Sequence, residues 1–281
     1  MKNLFVFIMS MLIISAPILA QSEQPKKVIL VLGSGGNKGL AHVGVIEELG
    51  NMGIKPDMIV GCSSGAIIGA LYAQNQDIAH VKEVLIGLKY DDLIDFSLFQ
   101  KLAISTSKKM EKFLEENLIA KDFESLQIPF VAVVTDLNKG EPIYCKEGAL
   151  HSMVLASSAL PGVFPPYEEN GVMYIDGGVC DPLPVRHAKS LGDYIIIASD
   201  ISASIDGFEA DSLPNLVRKA LEVMYQRLAY FEKEEADILF EMNFPSELDT
   251  PFKDNNQQIY EKGIEAVRSQ SEQILKLINP S

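Results

Sequence analysis

The sequence has no Cys-x-x-Cys pair and no His-Glu-x-x-His run, and its four histidines (His42, His80, His151, His187) are scattered. A metal site therefore has little support, and no cofactor is expected. Cysteines are few: Cys62, Cys145 and Cys180 cannot all pair within one chain, so free thiols are expected, with Cys62 and Cys180 buried and structural. Positive charge is also scarce, with 24 Lys and Arg against 38 Asp and Glu, a net charge of -14 and a pI near 4.7. Polyphosphate binding needs a cationic surface, so nucleic acid is excluded as a partner. The same charge repels an anionic membrane, leaving lipid contact to apolar residues or a local basic patch. There is no internal repeat and no low-complexity linker.

What is present suits a single α/β domain: 281 residues, 47% of them hydrophobic, can fill one core. Residues 1–20 read differently, with Lys2 as a positive start, a nearly apolar stretch from Leu4 to Ile14, and a small residue, Ala20, at the end. This is the pattern of a secretory signal peptide, and the apolar run is shorter than the roughly 20 residues that span a bilayer. The expected domain is 26–281, periplasmic or secreted, after the polar spacer Gln21 to Pro25.

Two glycine-rich stretches organise the domain. Gly33-Ser34-Gly35-Gly36-Asn37-Lys38-Gly39 follows the apolar run Lys27 to Leu32, and Gly61-Cys62-Ser63-Ser64-Gly65 follows Asp57 to Val60. Each opens a helical pattern, Leu40 to Met52 and Ala66 to Ala73, so both should lie at the carboxyl ends of neighbouring parallel strands. Further strands are expected at Pro129 to Val134, Glu141 to Cys145, Val172 to Ile175 and Tyr194 to Ala198, with an edge strand at Ile238 to Met242. Residues 77–128 read as mostly helical, including a helix from Ser107 to Leu118. Helices are also expected at Ala149 to Ala159, Leu213 to Phe231 and Ile259 to Ile278. Within the first of these regions, Leu93 to Ile104 has two readings: buried packing, which short apolar runs favour, or an interfacial lid whose Phe96, Phe99 and Leu102 touch lipid.

The second glycine stretch fits Gly-x-Ser-x-Gly, in which a serine sits on a sharp strand-to-helix turn. A serine hydroxyl attacks well only when a base takes its proton and fixed N–H groups receive the oxyanion. Ser63 is the candidate nucleophile, and the amides of Gly35, Gly36 and Asn37 are candidate oxyanion donors. A phosphate cradle fits less well: Lys38 replaces the third glycine of a dinucleotide loop, and it precedes Gly39 where a Walker loop needs Gly-Lys-Ser/Thr. Lys38 is instead a candidate contact to substrate charge. Two bases are open. Asp176 ends an apolar strand and is followed by Gly177 and Gly178, which leave room beside Ser63. Ser63, Asp176 and His187 also satisfy the chain order of a triad, although Pro184 to Ala188 reads as a helix face leading away; His42 more readily packs or caps.

These motifs resemble those of the patatin-like phospholipase family, as found in exported bacterial members. Gly33 to His42 is similar to its oxyanion loop, Gly61 to Gly65 to its nucleophile elbow and Asp176-Gly177-Gly178 to its Asp-Gly-Gly motif, while Ala156 to Pro166 is similar to the segment before that motif. The resemblance implies a three-layer α/β/α sandwich with a mostly parallel sheet. It also implies a Ser63/Asp176 dyad without histidine, and calcium-independent hydrolysis of lipid acyl esters at a membrane or micelle surface. Ser34 stands where many members have glycine, which implies altered geometry at the first turn of the loop.

Overall fold

The computed structural model describes residues 26–97, 100–202, 213–245, 248 and 255–279. The leader-like residues 1–20 lie outside the described residues, as does Phe99. One sheet of eight strands forms the middle layer: β1 (Val28–Leu32), β2 (Met58–Cys62), β3 (Phe130–Asp136), β4 (Glu141–Cys145), β5 (Tyr167–Glu169), β6 (Val172–Asp176), β7 (Ile195–Asp200) and β8 (Ile238–Glu241). Their order is β5-β6-β3-β2-β1-β7-β8, with β4 paired to β3 and β8 at the edge. Pairings among β3, β2, β1, β7 and β8 are parallel; those of β4 and β6 with β3, and of β5 with β6, are antiparallel.

The apolar runs are unbroken because the sheet is covered on both faces, so alternate residues of a strand enter different cores. Leu30, Leu32 and Ile59 pack with residues of α1 (Leu40–Asn51), α2 (Ser64–Ala73), α3 (Ile78–Ile86), α5 (Lys108–Asn117), α6 (Leu150–Ser157), α9 (Asn256–Ser269) and α10 (Ser271–Ile278). Ile29, Val31 and Val60 pack on the opposite face with α7 (Val185–Ser190) and with Ala229 of α8 (Leu213–Lys233). The result is the α/β/α sandwich with a mostly parallel sheet.

Two sequence expectations are corrected. The closing helix is two helices meeting at Gln270. The stretch 77–128 holds α3, the one-turn α4 (Tyr90–Leu93) and α5, but residues 94–97 and 100–106 are not helical: Ser97 N donates to Ile104 O and Ile104 N to Gly162 O. Among the described residues of Leu93 to Ile104, buried packing holds for Ile94 and in part for Leu93, whereas Phe96 is 63% and Leu102 66% exposed. Period alone could not separate those positions, since a short apolar run carries no sign of which side chains find the core.

The pairing of β3 places the site. β4 occupies one edge of β3 over Ala132–Asp136, so β2 and β6 must share the other: β2 ends with Cys62 opposite Val133, and β6 ends with Asp176 opposite Val134. Two strands running in opposite directions thus meet end to end on adjacent residues of one neighbour. The residue after Cys62 is Ser63, so 113 residues of separation collapse into contact.

Candidate active site

Ser63 is where β2 stops and α2 begins, with φ 56° and ψ -121°. A side chain held in that region costs on the order of 1–3 kcal/mol, which the surrounding bonds must offset. The Ser63 amide donates to Ser157 Oγ at 3.0 Å, and Ser158 Oγ lies 3.4 Å from Ser63 O. A Cβ at Gly65 would overlap the Leu32 carbonyl, and one at Gly61 would lie 2.5 Å from Gly65 O, so only glycines allow the turn to close against β1.

The Ser63 hydroxyl donates to Asp176 Oδ2 at 2.6 Å, while the Gly178 amide donates to Oδ1 at 2.8 Å. Asp176 is fully buried, and burial pushes its carboxyl up to about 7; the bonds from Ser63 and Gly178 offset part of that rise. Thr135 Oγ1 donates to the Asp176 carbonyl at 3.0 Å, and the Asp176 amide to Ala159 O at 3.0 Å, so Asp176 is held at its backbone as well as its side chain. Gly177 is required by close approach, because a Cβ there would overlap the Val133 carbonyl.

Beside this pair, Gly36–Gly39 forms a 3-10 turn whose own bond runs from Lys38 N to Gly35 O at 3.2 Å. The first N–H groups of such a turn have no acceptor within it, so those of Gly35, Gly36 and Asn37 are left for another acceptor. Gly36 has φ 57°, which glycine adopts without strain. His42, fully buried one turn into α1, braces the loop: Nε2 lies 2.9 Å from Gly33 O and Nδ1 2.9 Å from Ser199 Oγ. A carbonyl only accepts, so Nε2 carries the proton and Nδ1 accepts from Ser199. Burial lowers the His42 pKa to about 4, against the raising effects of the Gly33 bond and of Asp200, which keeps the ring neutral. Ser34 is buried and donates from Oγ to Cys62 Sγ at 3.1 Å, tying the loop to the strand that leads into Ser63.

Ser63 and the glycine loop line a cavity of about 200 Å³. Ile67, Leu93, Ile94, Met110, Leu160, Val163 and Phe164 supply an apolar wall, and Arg218, Leu221, Glu222 and Tyr225 of α8 face it. Lys38 also lines the cavity; it is 2% exposed, with Nζ 6.0 Å from the centre of the Phe244 ring.

The triad alternative is corrected. His187 lies flat against Tyr144 with ring centres 3.6 Å apart, and Tyr144 in turn donates to Asp181 at 2.8 Å. Both Asp176 oxygens are already engaged by Ser63 and Gly178, so no imidazole stands between serine and aspartate. The three cysteines are free thiols; Cys62 is buried as expected, whereas Cys180 is only half-buried. Among the described residues no three His, Cys, Asp or Glu side chains converge as a metal requires. Sequence reasoning missed the anchoring role of Ser157, although it falls in the segment flagged before Asp176. It also missed Tyr225, for which helix pattern gave no signal.

A strained serine on a strand-to-helix turn, a buried aspartate in direct hydrogen bond and a glycine loop with open amides define a serine–aspartate protein of the α/β/α class. A family model described as patatin-like phospholipase matches residues 30–189, and the chain belongs to that family. It is 32% identical over 211 residues to an uncharacterised NTE family protein of Mycobacterium bovis, covering 74% of this chain and 58% of that protein. It is 35% identical over 194 residues to lysophospholipase nte1 of Aspergillus fumigatus, covering 67% of this chain and 13% of that one. The chain thus spans little more than half the length of the first relative and a small part of the second. The crystal structure of VipD from Legionella pneumophila has a similar fold, with a TM-score of 0.57 at 16% identity over 89% of this chain and 67% of that one.

Proposed function

We propose that the chain is a serine acyl hydrolase that cleaves carboxylic esters of lipids, of the phospholipase A or lysophospholipase type. The observation that carries this reading is the 2.6 Å bond from the Ser63 hydroxyl to a buried Asp176 whose pKa stands near 7. A carboxylate tuned to that range is a base matched to neutral pH. Asp176 takes the Ser63 proton as Oγ bonds to the acyl carbon. The carbonyl oxygen becomes an oxyanion received by the Gly35, Gly36 and Asn37 amides. The C–O bond to the alcohol then breaks, and Asp176 returns the proton to the departing oxygen. In the second half, water loses a proton to Asp176 and attacks the acyl-enzyme, the acid departs and Ser63 regains its proton. The apolar wall suits an acyl chain, and Lys38 and the Arg218–Glu222 pair give the cavity charged groups for the polar end of a lipid.

The substrate is met at a lipid surface. α8 turns Leu216, Val217, Met224, Leu228, Tyr230 and Phe231 outward, although Phe231 and Tyr230 are each 60% exposed and apolar helix faces normally turn inward. At 100° per residue these positions fall within an arc of about 160°. Phe96 and Leu102 are exposed on the loop that begins at the cavity residues Leu93 and Ile94. Two separate elements bordering one cavity thus present apolar side chains. With a net charge of -14, a zwitterionic surface fits better than an anionic one. Residues 1–20 support export, which N-terminal sequencing of the mature protein checks by a start at Gln21.

The test is a lipid-panel hydrolysis assay with Ser63→Ala as control, together with fluorophosphonate labelling. Turnover that vanishes with Ser63, and label on Ser63, are expected; a chain that neither labels nor hydrolyses is a non-catalytic lipid-binding module. For the surface, Met224→Glu with Phe231→Glu should abolish sedimentation with phosphatidylcholine vesicles while hydrolysis of a soluble nitrophenyl ester is unchanged.

A further inference from the structure

α8 lies outside residues 30–189, the stretch the family model matches, yet it closes one side of the cavity. Its inward residue Tyr225 sits against the aspartate motif: a Cβ on Gly178 would come within 2.9 Å of Tyr225 Cζ and 3.1 Å of Asp176 Oδ1. The phenol is therefore beside the base. Its hydroxyl is buried and, among the described residues, has no hydrogen-bond partner, although the ring lines the cavity. Buried polar atoms are seldom left unpaired, and one beside the base, on a ring that lines the substrate cavity, is a donor waiting for a ligand atom. Burial and the nearby Asp176 charge raise its pKa well above the ordinary phenol value, so it keeps its proton.

We infer that Tyr225 is a further catalytic residue, whose hydroxyl donates a hydrogen bond to the ester oxygen of the leaving alcohol as the acyl C–O bond breaks. The inference rests on the acyl-hydrolase reading above. Three positions around the reacting carbon are assigned by what lines them. The carbonyl oxygen goes to the Gly35, Gly36 and Asn37 amides, the acyl chain to the apolar wall, and the leaving oxygen to the side of Asp176, which must return a proton to it. Tyr225 stands on that side, and the other inward residues of α8, Arg218 and Glu222, give the departing alcohol polar surroundings. Proton balance is unchanged: Asp176 carries the Ser63 proton to the alkoxide, while Tyr225 keeps its own and stabilises the charge developing there.

The experiment compares Tyr225→Phe with the wild type on two substrates of one acyl chain, a monoacylglycerol and a nitrophenyl ester. An alkyl alkoxide needs a donor far more than a nitrophenolate. The variant should lose about 10–100-fold in kcat/KM on the monoacylglycerol, the value of a hydrogen bond to a charged group. On the nitrophenyl ester it should stay within about threefold, and its rate of fluorophosphonate labelling should match the wild type. Its melting temperature should equal or exceed the wild-type value, because an unpaired buried hydroxyl has been removed. Equal losses on both esters, no loss on either, or a lowered melting temperature would each overturn the inference. Failure of the acyl-hydrolase reading looks different: the wild type would hydrolyse neither ester.

Discussion

Replacing Asp176 by Asn should destroy activity and stabilise the protein, and the pH at which the stabilisation grows is set by the structure. The Asp176 carboxyl is fully buried, and its pKa rises from 3.8 to about 7 on folding. Between those values the folded state binds a proton that the unfolded state has released, so this group's contribution to stability falls as pH rises and levels off above 7. A gap of about 3 pH units at about 1.4 kcal/mol each makes the ionised base cost about 4 kcal/mol, of which about 3 kcal/mol appears between pH 5 and pH 8. Asn keeps an acceptor for the Gly178 amide and carries no charge, so the variant escapes this cost. The wild-type curve alone would mislead, because buried His42 acts in the opposite sense. Its folded pKa is lowered from 6.5 to about 4, so its stabilising effect is complete above 6.5 and is lost as pH falls towards 4. The difference between Asn variant and wild type cancels that effect. Thermal melts at pH 5, 6, 7 and 8 should show a difference that widens with pH and reaches about 10 °C at pH 8 for a chain of this size. In parallel, wild-type kcat/KM should climb with pH to a plateau with its midpoint near 7, since only the carboxylate accepts the Ser63 proton. Melting curves of the two proteins that run parallel across this range would refute the reasoning.

Other outcomes follow from the same geometry. His187→Ala should retain wild-type kcat/KM within about twofold while losing the stack on Tyr144; a large loss with folding intact would restore a histidine to the mechanism. His42→Ala removes partners from Gly33 O and Ser199 Oγ, so it should cost about 2–4 kcal/mol in denaturant unfolding. By loosening the glycine loop it should also lower kcat/KM about 10–100-fold. Gly65→Ala should destabilise by about 3 kcal/mol in the same assay, because its methyl overlaps the Leu32 carbonyl and a backbone atom cannot swing aside.

The sequence by itself determined the local pieces. Unbroken apolar runs rich in Val and Ile, such as Val28 to Leu32, read as strands buried on both faces, and glycines at 33–39 and 61–65 permit tight turns between strand and helix. Hence the candidate nucleophile, the loop and the layer order were legible, and so was the candidate aspartate, through its two glycines. Tertiary structure alone decided three matters. It set Asp176 rather than His187 against Ser63, because β2 and β6 meet end to end on β3 and put the carboxylate 2.6 Å from the hydroxyl, while α7 carries His187 onto Tyr144. It turned Phe96 and Leu102 outward, where composition favoured packing. And it oriented α8, whose sequence is amphipathic but does not say which face looks in. Local pattern fixes period and turn, whereas the meeting of residues far apart in the chain depends on strand order and on which side of each helix finds the core.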